Sequence, residues 1–440
     1  MAGDAGAPGD EGGRRAGAAL GGKALSKQVM VDGVKLRPER RGDAEDARRL
    51  VAGDAWRDLC RALERAGDAL LAAENPADER TRAEGFRYLL GLATVGIRQG
   101  FELADREHPV FVRIEDPWAK WGAENADNHY LHAHVRSDRT YLIRGERGTC
   151  LDFLIEVKEG FMHLGDVRNF ATLAAHDLRI EPDGSFEIVA SRERTGAAEG
   201  CANWLPLHPD AAQITIREYL YDWAREEPAR FTIECIEAAG CAPAPPDAAA
   251  TARVLDDVGH FVETTTRFWA EWVPELRDAH VPGRLAPARM FVGGADDIRY
   301  GNDLYRLGEG EALVIETAVP DARYWHYQLC NEWFVTMDYA NRQTSLNGAQ
   351  LRIDGDGLVR IVVAHEDPGV PNWLDTGGAR EGMIQYRYVW TKDAPQPRIA
   401  TVPLGELRAH LPADTPHVPP AERRTRIAER QRAIARRMRV

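Results

Sequence analysis

No stretch of the 440 residues is apolar for long enough to cross a bilayer, and the N-terminus lacks the continuous apolar core of a secretory signal. The expected compartment is a reducing cytoplasm, with no membrane partner. Cysteine is sparse: there are six, with no CxxC pair and no spacing to histidine that would build a zinc knuckle. Most are expected to be buried as small apolar side chains. Positive charge is in deficit as well. Lysine and arginine number 56 against 69 acidic residues, a formal charge of −13, which argues against a nucleic-acid partner because phosphate contacts need a basic surface. The sequence also has no GxSxG elbow, no Walker GxxxxGK[ST], no GxGxxG opening a helix and no HExxH. These absences argue against common serine hydrolases, nucleotide-cradling loops and zincin proteases, and no motif requires a cofactor.

What is present is an internal repeat. Leu351-Arg352-Ile353-Asp354, a Gly355-Asp356-Gly357 turn, Val359 to Val363, Asn372-Trp373-Leu374 and a strand ending Tyr386-Arg387-Tyr388 form one copy. The other is Leu178-Arg179-Ile180-Glu181, Pro182-Asp183-Gly184, Phe186 to Ala190, Asn203-Trp204-Leu205 and a strand through Ile216-Arg217-Glu218-Tyr219. Alternating residues around an Asp-Gly turn predict half-buried antiparallel pairs. Upstream, Asn128 and Tyr130 find looser counterparts in Asn302 and Tyr305. The expected fold class is α+β and mainly β: two tandem related antiparallel β-sandwich domains, with an N-terminal helical hairpin, an inter-domain helix and a C-terminal helix.

Residues 1–42, rich in Gly, Ala, Asp and Arg, read as a disordered leader. Residues 43–107 form the hairpin, one helix starting at Asp43 and a second at Asn75-Pro76, with Phe86, Leu89, Leu90, Ala93, Ile97 and Phe101 as the second helix's apolar stripe. The first β domain is placed at 108–241. Residues 242–283 hold a Pro-rich break and an amphipathic helix from Asp247 that carries Phe261, Phe268, Trp269 and Trp272, its end bracketed by Pro274 and Pro282. The second β domain spans 284–400. Residues 401–440 are a Pro-rich segment and an arginine-crowded helix, which is either solvated and frayed or docked on an acidic surface of a second copy or other partner. A homo-oligomer is therefore among the expected partners.

The two Asn-Trp-Leu segments, Asn203-Trp204-Leu205-Pro206 and Asn372-Trp373-Leu374, resemble bacterial proteins carrying the domain of unknown function 1214. Asp127-Asn128-His129-Tyr130-Leu131 and Tyr141 to Gly145 resemble its actinobacterial branch. Asp375 stands where that family usually has Pro. The resemblance implies a two-domain β-sandwich with added helices, and it brings no catalytic residues.

The candidates for chemistry come from the residues themselves. His132 and His134 lie two apart in a predicted strand and leave the same face. Such a pair can meet a metal, but a surface or hydrogen-bonded pair is the plainer reading and no metal site is assigned. His326 and Gln328 share one face of a strand whose other face carries Trp325 and Tyr327. His365 ends a strand just before the Trp373 loop, and Trp118 and Trp121 sit in a turn-rich loop before Tyr130. Arg217 and Arg387 recur at matching places in apolar strands. A buried arginine must pair with a carboxylate of its own domain or with an anionic ligand group.

The functional expectation is a small, partly apolar metabolite bound where the two β domains and the 247–273 helix meet. The candidate contacts are Trp118, Trp121, Tyr130, Trp325, Gln328, His365, Trp373 and Arg387. If the protein catalyses, His326, His132 or His134 would supply acid/base chemistry for a hydrolysis, an elimination or an isomerisation. The alternative is a non-catalytic ligand-binding or oligomeric scaffold protein.

Overall fold

A computed structural model describes residues 25–30, 32–291, 295 and 297–438. Five helices form one layer: α1 (Leu25–Met30), α2 (Asp43–Ala52), α3 (Asp54–Leu70), α4 (Glu79–Glu102) and, after the first β domain, α5 (Ala248–Ala279). The leader expected over 1–42 lies outside the described residues up to 24. From Leu25 the chain instead packs, with Val29 in the same core cluster as Leu92 of α4 and Phe261 of α5. The helix expected to start at Asp43 breaks at Gly53, whose φ of 77° ends α2 and starts α3. Asp78, rather than Asn75-Pro76, begins α4, its side chain accepting from Thr81 N at 3.0 Å. Asp247 caps α5 in the same way, and Pro274 lies inside that helix without ending it.

The expected apolar stripe of α4 is only partly on the packed face: Leu89 and Ala93 pack against the core, but Phe86, Leu90, Ile97 and Phe101 are exposed. Leu90 is 71% and Phe101 77% exposed, while Gly85, Tyr88, Leu92, Val95 and Gly96 are buried. The reason is close packing through the glycines: a Cβ on Gly85 would meet the Trp333 ring at 2.8 Å, and one on Gly96 would meet Val262 at 2.9 Å.

The first β domain contains β1 (Val112–Arg113), β2 (Asn128–His134), β3 (Tyr141–Glu146), β4 (Asp152–Lys158), β5 (Asn169–Ala174), β6 (Ser185–Ser191), β7 (Trp204–Pro206), β8 (Gln213–Tyr219) and β9 (Arg230–Cys235). The second contains β10 (Ile298–Arg306), β11 (Glu311–Ala318), β12 (Ala322–Cys330), β13 (Ser345–Asn347), β14 (Leu358–Ala364), β15 (Trp373–Asp375), β16 (Glu381–Thr391) and β17 (Arg398–Pro403). The sheets β2-β8-β4-β5 and β7-β6-β3-β9 of the first match β10-β16-β12-β13 and β15-β14-β11-β17 of the second, strand for strand, with β1 added at one edge. The chain is therefore a tandem duplication, mainly β within an α+β fold. One pair in each copy, β6 with β7 and β14 with β15, is parallel, so the sheets are not purely antiparallel.

The repeated motif has a specific job. Gly184 and Gly357 take φ values of 88° and 80° in the two turns, as the Asp-Gly pattern predicts. The run before each turn is a loop rather than a paired strand. Asn203 holds the first loop by accepting from Arg179 N at 2.8 Å and donating to Arg179 O at 3.0 Å; Asn372 does the same for Arg352, at 2.8 Å in both bonds. Strand pairing also corrects the upstream alignment. Tyr130 lies opposite Arg217 and Tyr300 opposite Arg387, so Tyr300, and not Tyr305, is the counterpart of Tyr130.

The two copies meet through their equivalent sheets. On β8, Ile214 and Ile216 face the first sandwich core, so Thr215, Arg217 and Tyr219 face the seam. On β16, Ile384, Tyr386 and Tyr388 face the second core, leaving Gln385, Arg387 and Val389 at the seam. One end of the seam is solid, with Leu154, Tyr219, Ile298, Tyr324 and Val389 packed together. The final helix, α6 (Pro420–Arg437), lies across both copies. Arg423 pairs with Asp367 at 2.9 Å, Arg430 donates to Ser345 O at 2.9 Å, and the Arg430 and Arg437 guanidinium groups lie 4.3 and 4.8 Å from the centre of the Trp223 ring. Arg423, Arg430 and Arg437 are thus engaged within the chain, while Arg424 and Arg432 stay exposed. Among the described residues, no helix is long and apolar enough to cross a membrane.

Candidate functional site

The other end of the seam opens into a cavity of about 170 Å³. Strands β2, β8, β10 and β16 supply Tyr130, His132, Thr215, Arg217, Tyr300, Asn302, Gln385 and Arg387 to its wall. The loop before β2 adds Glu115, Trp121 and Glu124, and the end of β4 and the loop after it add Lys158, Phe161 and His163. Trp269 and Trp272 of α5, with Phe291 and Phe334, close an aromatic side. Trp272 and Phe334 are in edge contact at 4.3 Å, and Trp269 lies 5.0 Å from Phe334.

Backbone strain concentrates beside this wall. Ala123 and Phe334 both have positive φ, 51° and 54°, although neither is glycine. Ala123 N donates to Phe334 O at 2.7 Å, and Ala123 O accepts from Arg387 Nη2 at 2.5 Å. The strained pair ties the loop before β2 to the second sandwich.

Among the described residues, ten buried polar atoms on the wall find no hydrogen-bond partner: Glu115 Oε2, both Glu124 carboxylate oxygens, both His132 ring nitrogens, His163 Nε2, Gln213 Oε1, Thr215 Oγ1, Trp269 Nε1 and Asn302 Oδ1. His132 Nε2 lies 3.4 Å from Glu115 Oε2, within ion-pair range, and the imidazole stacks on Phe161. Burial pushes Glu124 up to about 8, with Lys120 opposing and Glu115 assisting. Burial also raises Glu156, but Arg217 and Lys158 outweigh it and hold that carboxylate below its ordinary range.

The Glu124 shift predicts a pH dependence. Its unfolded value is near ~4.3, so between there and about 8 the folded chain holds a proton that the unfolded chain releases. The stability this group contributes is complete below the unfolded value and is lost as pH rises through the folded one. Glu124→Gln is therefore expected to flatten the decline in melting midpoint across that window. Melts over the same pH range check it, and a decline equal to that of the wild type would contradict the assignment.

A family model described as protein of unknown function (DUF1214) matches residues 152–222 and 304–393, one segment in each β domain. The crystal structure of an uncharacterized protein from Burkholderia cenocepacia is similar at 36% identity with a TM-score of 0.76, covering 82% of this chain and 99% of its own. The chain belongs to the DUF1214 family. A Vibrio parahaemolyticus crystal structure covers 71% of the DUF1214 chain and all of its own length, at 11% identity and a TM-score of 0.43. No curated protein matches.

Of the residues picked from the sequence, this DUF1214 structure brings His132, Trp121, Tyr130 and Arg387 to one cavity. His326 and Gln328 face the seam one step behind. His326 is fully buried, lies 3.5 Å from Arg387 and is kept neutral by burial and by that cation. Gln328 Nε2 donates to Gln385 Oε1 at 2.6 Å. His134 is off the wall, and burial pushes it down to about 3. Trp118 is exposed in a separate cleft beside α4, and Trp325 belongs to the second sandwich core. His365 bonds Thr376 Oγ1 at 2.7 Å, and Trp373 packs under Arg423, both away from the cavity. Among the described residues no group of three or more His, Cys, Asp or Glu is placed to hold a metal ion.

Glu115, Glu124, Lys158, Phe161 and Thr215 were not anticipated as wall residues. Lys158 had a visible signal: with Glu156 it alternates with Phe153, Ile155 and Val157 in β4, charged positions on one face of an otherwise apolar strand.

Proposed function

We propose that this protein binds a small, partly apolar metabolite in the inter-domain cavity, with His132 and Glu115 as the pair able to move a proton there. The reading is carried by the ten unpartnered polar atoms gathered beside an aromatic wall. Unpaired buried polar groups are exceptions in proteins, so a cluster of them lining one hollow is complementary to a molecule that has both polar groups and apolar surface. A carboxylate set against one edge of an imidazole orients the ring for proton transfer. Hydrolysis, elimination and isomerisation can all use such a group.

The test is a metabolite panel read by thermal shift and by turnover, on wild type and His132→Ala. A panel member that raises the melting midpoint of both proteins, with turnover falling by roughly 10²–10⁴-fold in the variant, is the expected result. A shift without wild-type turnover leaves a non-catalytic binder. No shift from any member removes the reading. The assembly reading is favoured by one observation, the exposed row of Phe86, Leu90, Ile97 and Phe101 along α4, and the mass of the same sample in solution decides it.

A further inference from the structure

The two halves of the cavity come from equivalent strands, but their charges are not equivalent. In the first sandwich Arg217 has a carboxylate: its Nε lies 3.2 Å from Glu156 Oε2, and Lys158 Nζ lies 3.4 Å from Glu156 Oε1. Glu156 stands opposite Thr215 on β8, and Gln328 stands opposite Gln385 on β16, so the copy places a neutral Gln328 where Glu156 balances Arg217. The Gln328 amide is already engaged, accepting from Ala126 N at 3.1 Å and donating to Gln385 Oε1 and to Glu124 O at 2.8 Å.

Arg387 is left without its counterpart's partner. It is 6% exposed, donates to Ala123 O, reaches His326 Nε2 at 3.5 Å and stands 5.4 Å from the centre of the Tyr300 ring. Among the described residues no carboxylate lies within ion-pair distance of it. Glu115 faces His132, and Glu124 holds its proton at neutral pH, so neither supplies the missing charge. A buried guanidinium is stabilised when a carboxylate opposes its charge, as Glu156 does for Arg217. Its planar fork is shaped for a carboxylate.

We propose that the ligand of this cavity carries a carboxylate and that Arg387 binds it, in the role Glu156 plays for Arg217. The rest of the ligand is one ring. A cavity of about 170 Å³ is close to the ~150 Å³ engineered cavity that holds benzene, and Trp269, Trp272 and Phe334 offer it flat apolar surface. The substrate class is thus a small monocyclic carboxylate. This inference rests on the ligand-binding reading above.

Benzoate and benzamide, matched in shape and differing in charge, are the probes, titrated calorimetrically into the full chain. Benzoate is expected to bind about tenfold or more tightly than benzamide in the wild type. Arg387→Gln should erase that preference, and Arg387→Lys should restore part of it. Benzamide binding as well as benzoate would overturn the carboxylate while leaving the ligand reading intact, as would an unchanged benzoate affinity in a folded Arg387→Gln. Failure of both probes to bind the wild type would overturn this substrate class. If the metabolite panel still shifted the melting midpoint, the ligand reading would survive that failure. The wild-type comparison needs no variant, so the carboxylate preference is decided even if Arg387→Gln folds poorly.

Discussion

Asp127→Ala is expected to destabilise the protein by about 3–5 kcal/mol, the range for removing one partner of a buried charged network. Asp127 is 1% exposed and accepts from Tyr324 Oη at 2.5 Å, Trp223 Nε1 at 2.6 Å and Asn347 Nδ2 at 2.9 Å. Trp223 belongs to the first β domain, Tyr324 and Asn347 to the second, so one carboxylate gathers donors from both. Alanine would strand three buried donors, each costing about 1–3 kcal/mol unless water enters. Asp127→Asn should be milder, because the amide oxygen still accepts and the burial that raises the Asp127 pKa has no charge to act on. Chemical denaturation of the two variants checks the order. Equal losses would mean that the charge, and not the donors left unpaired, sets the effect.

The second large effect is expected at Trp333. Its side chain is fully buried, its Nε1 donates to Thr81 O at 2.8 Å, and its ring fills the gap that Gly85 leaves on α4. Trp333→Ala should cost about 3–5 kcal/mol through the lost burial and the cavity left behind. The loss should be local first, since this ring joins the helical layer to the second sandwich. Hydrogen exchange is expected to speed up in residues 79–102 before it does in β12 or β16. Uniform acceleration across the chain would show instead that the layer and the sandwich unfold as one unit.

The duplication was legible because its markers act locally. An Asp-Gly turn and an asparagine that satisfies a neighbouring loop look alike wherever they occur, and both copies keep them. The α4 face was misread in part because hydrophobicity was taken to mark the buried side, whereas Gly85 and Gly96 mark it by what they lack. The counterpart of Tyr130 was misplaced for a related reason: β2 and β10 are aligned by pairing with β8 and β16, a relation that local similarity does not carry. The cavity drew on loop residues such as Glu115 and Phe161, whose neighbours are set by tertiary packing alone. The imbalance at Arg387 could not be read before the register equated Glu156 with Gln328.

The helix across the seam has a consequence for how the molecule comes into being. It follows both sandwiches in the chain, so a ribosome emits it after the parts it joins, and domains generally fold as they emerge. Until Arg430 and Arg437 reach the indole of Trp223, the two halves are joined only by the contacts of the seam itself. The helix is thus a late fastening, added by translation order to a seam whose own contacts come from chain made earlier.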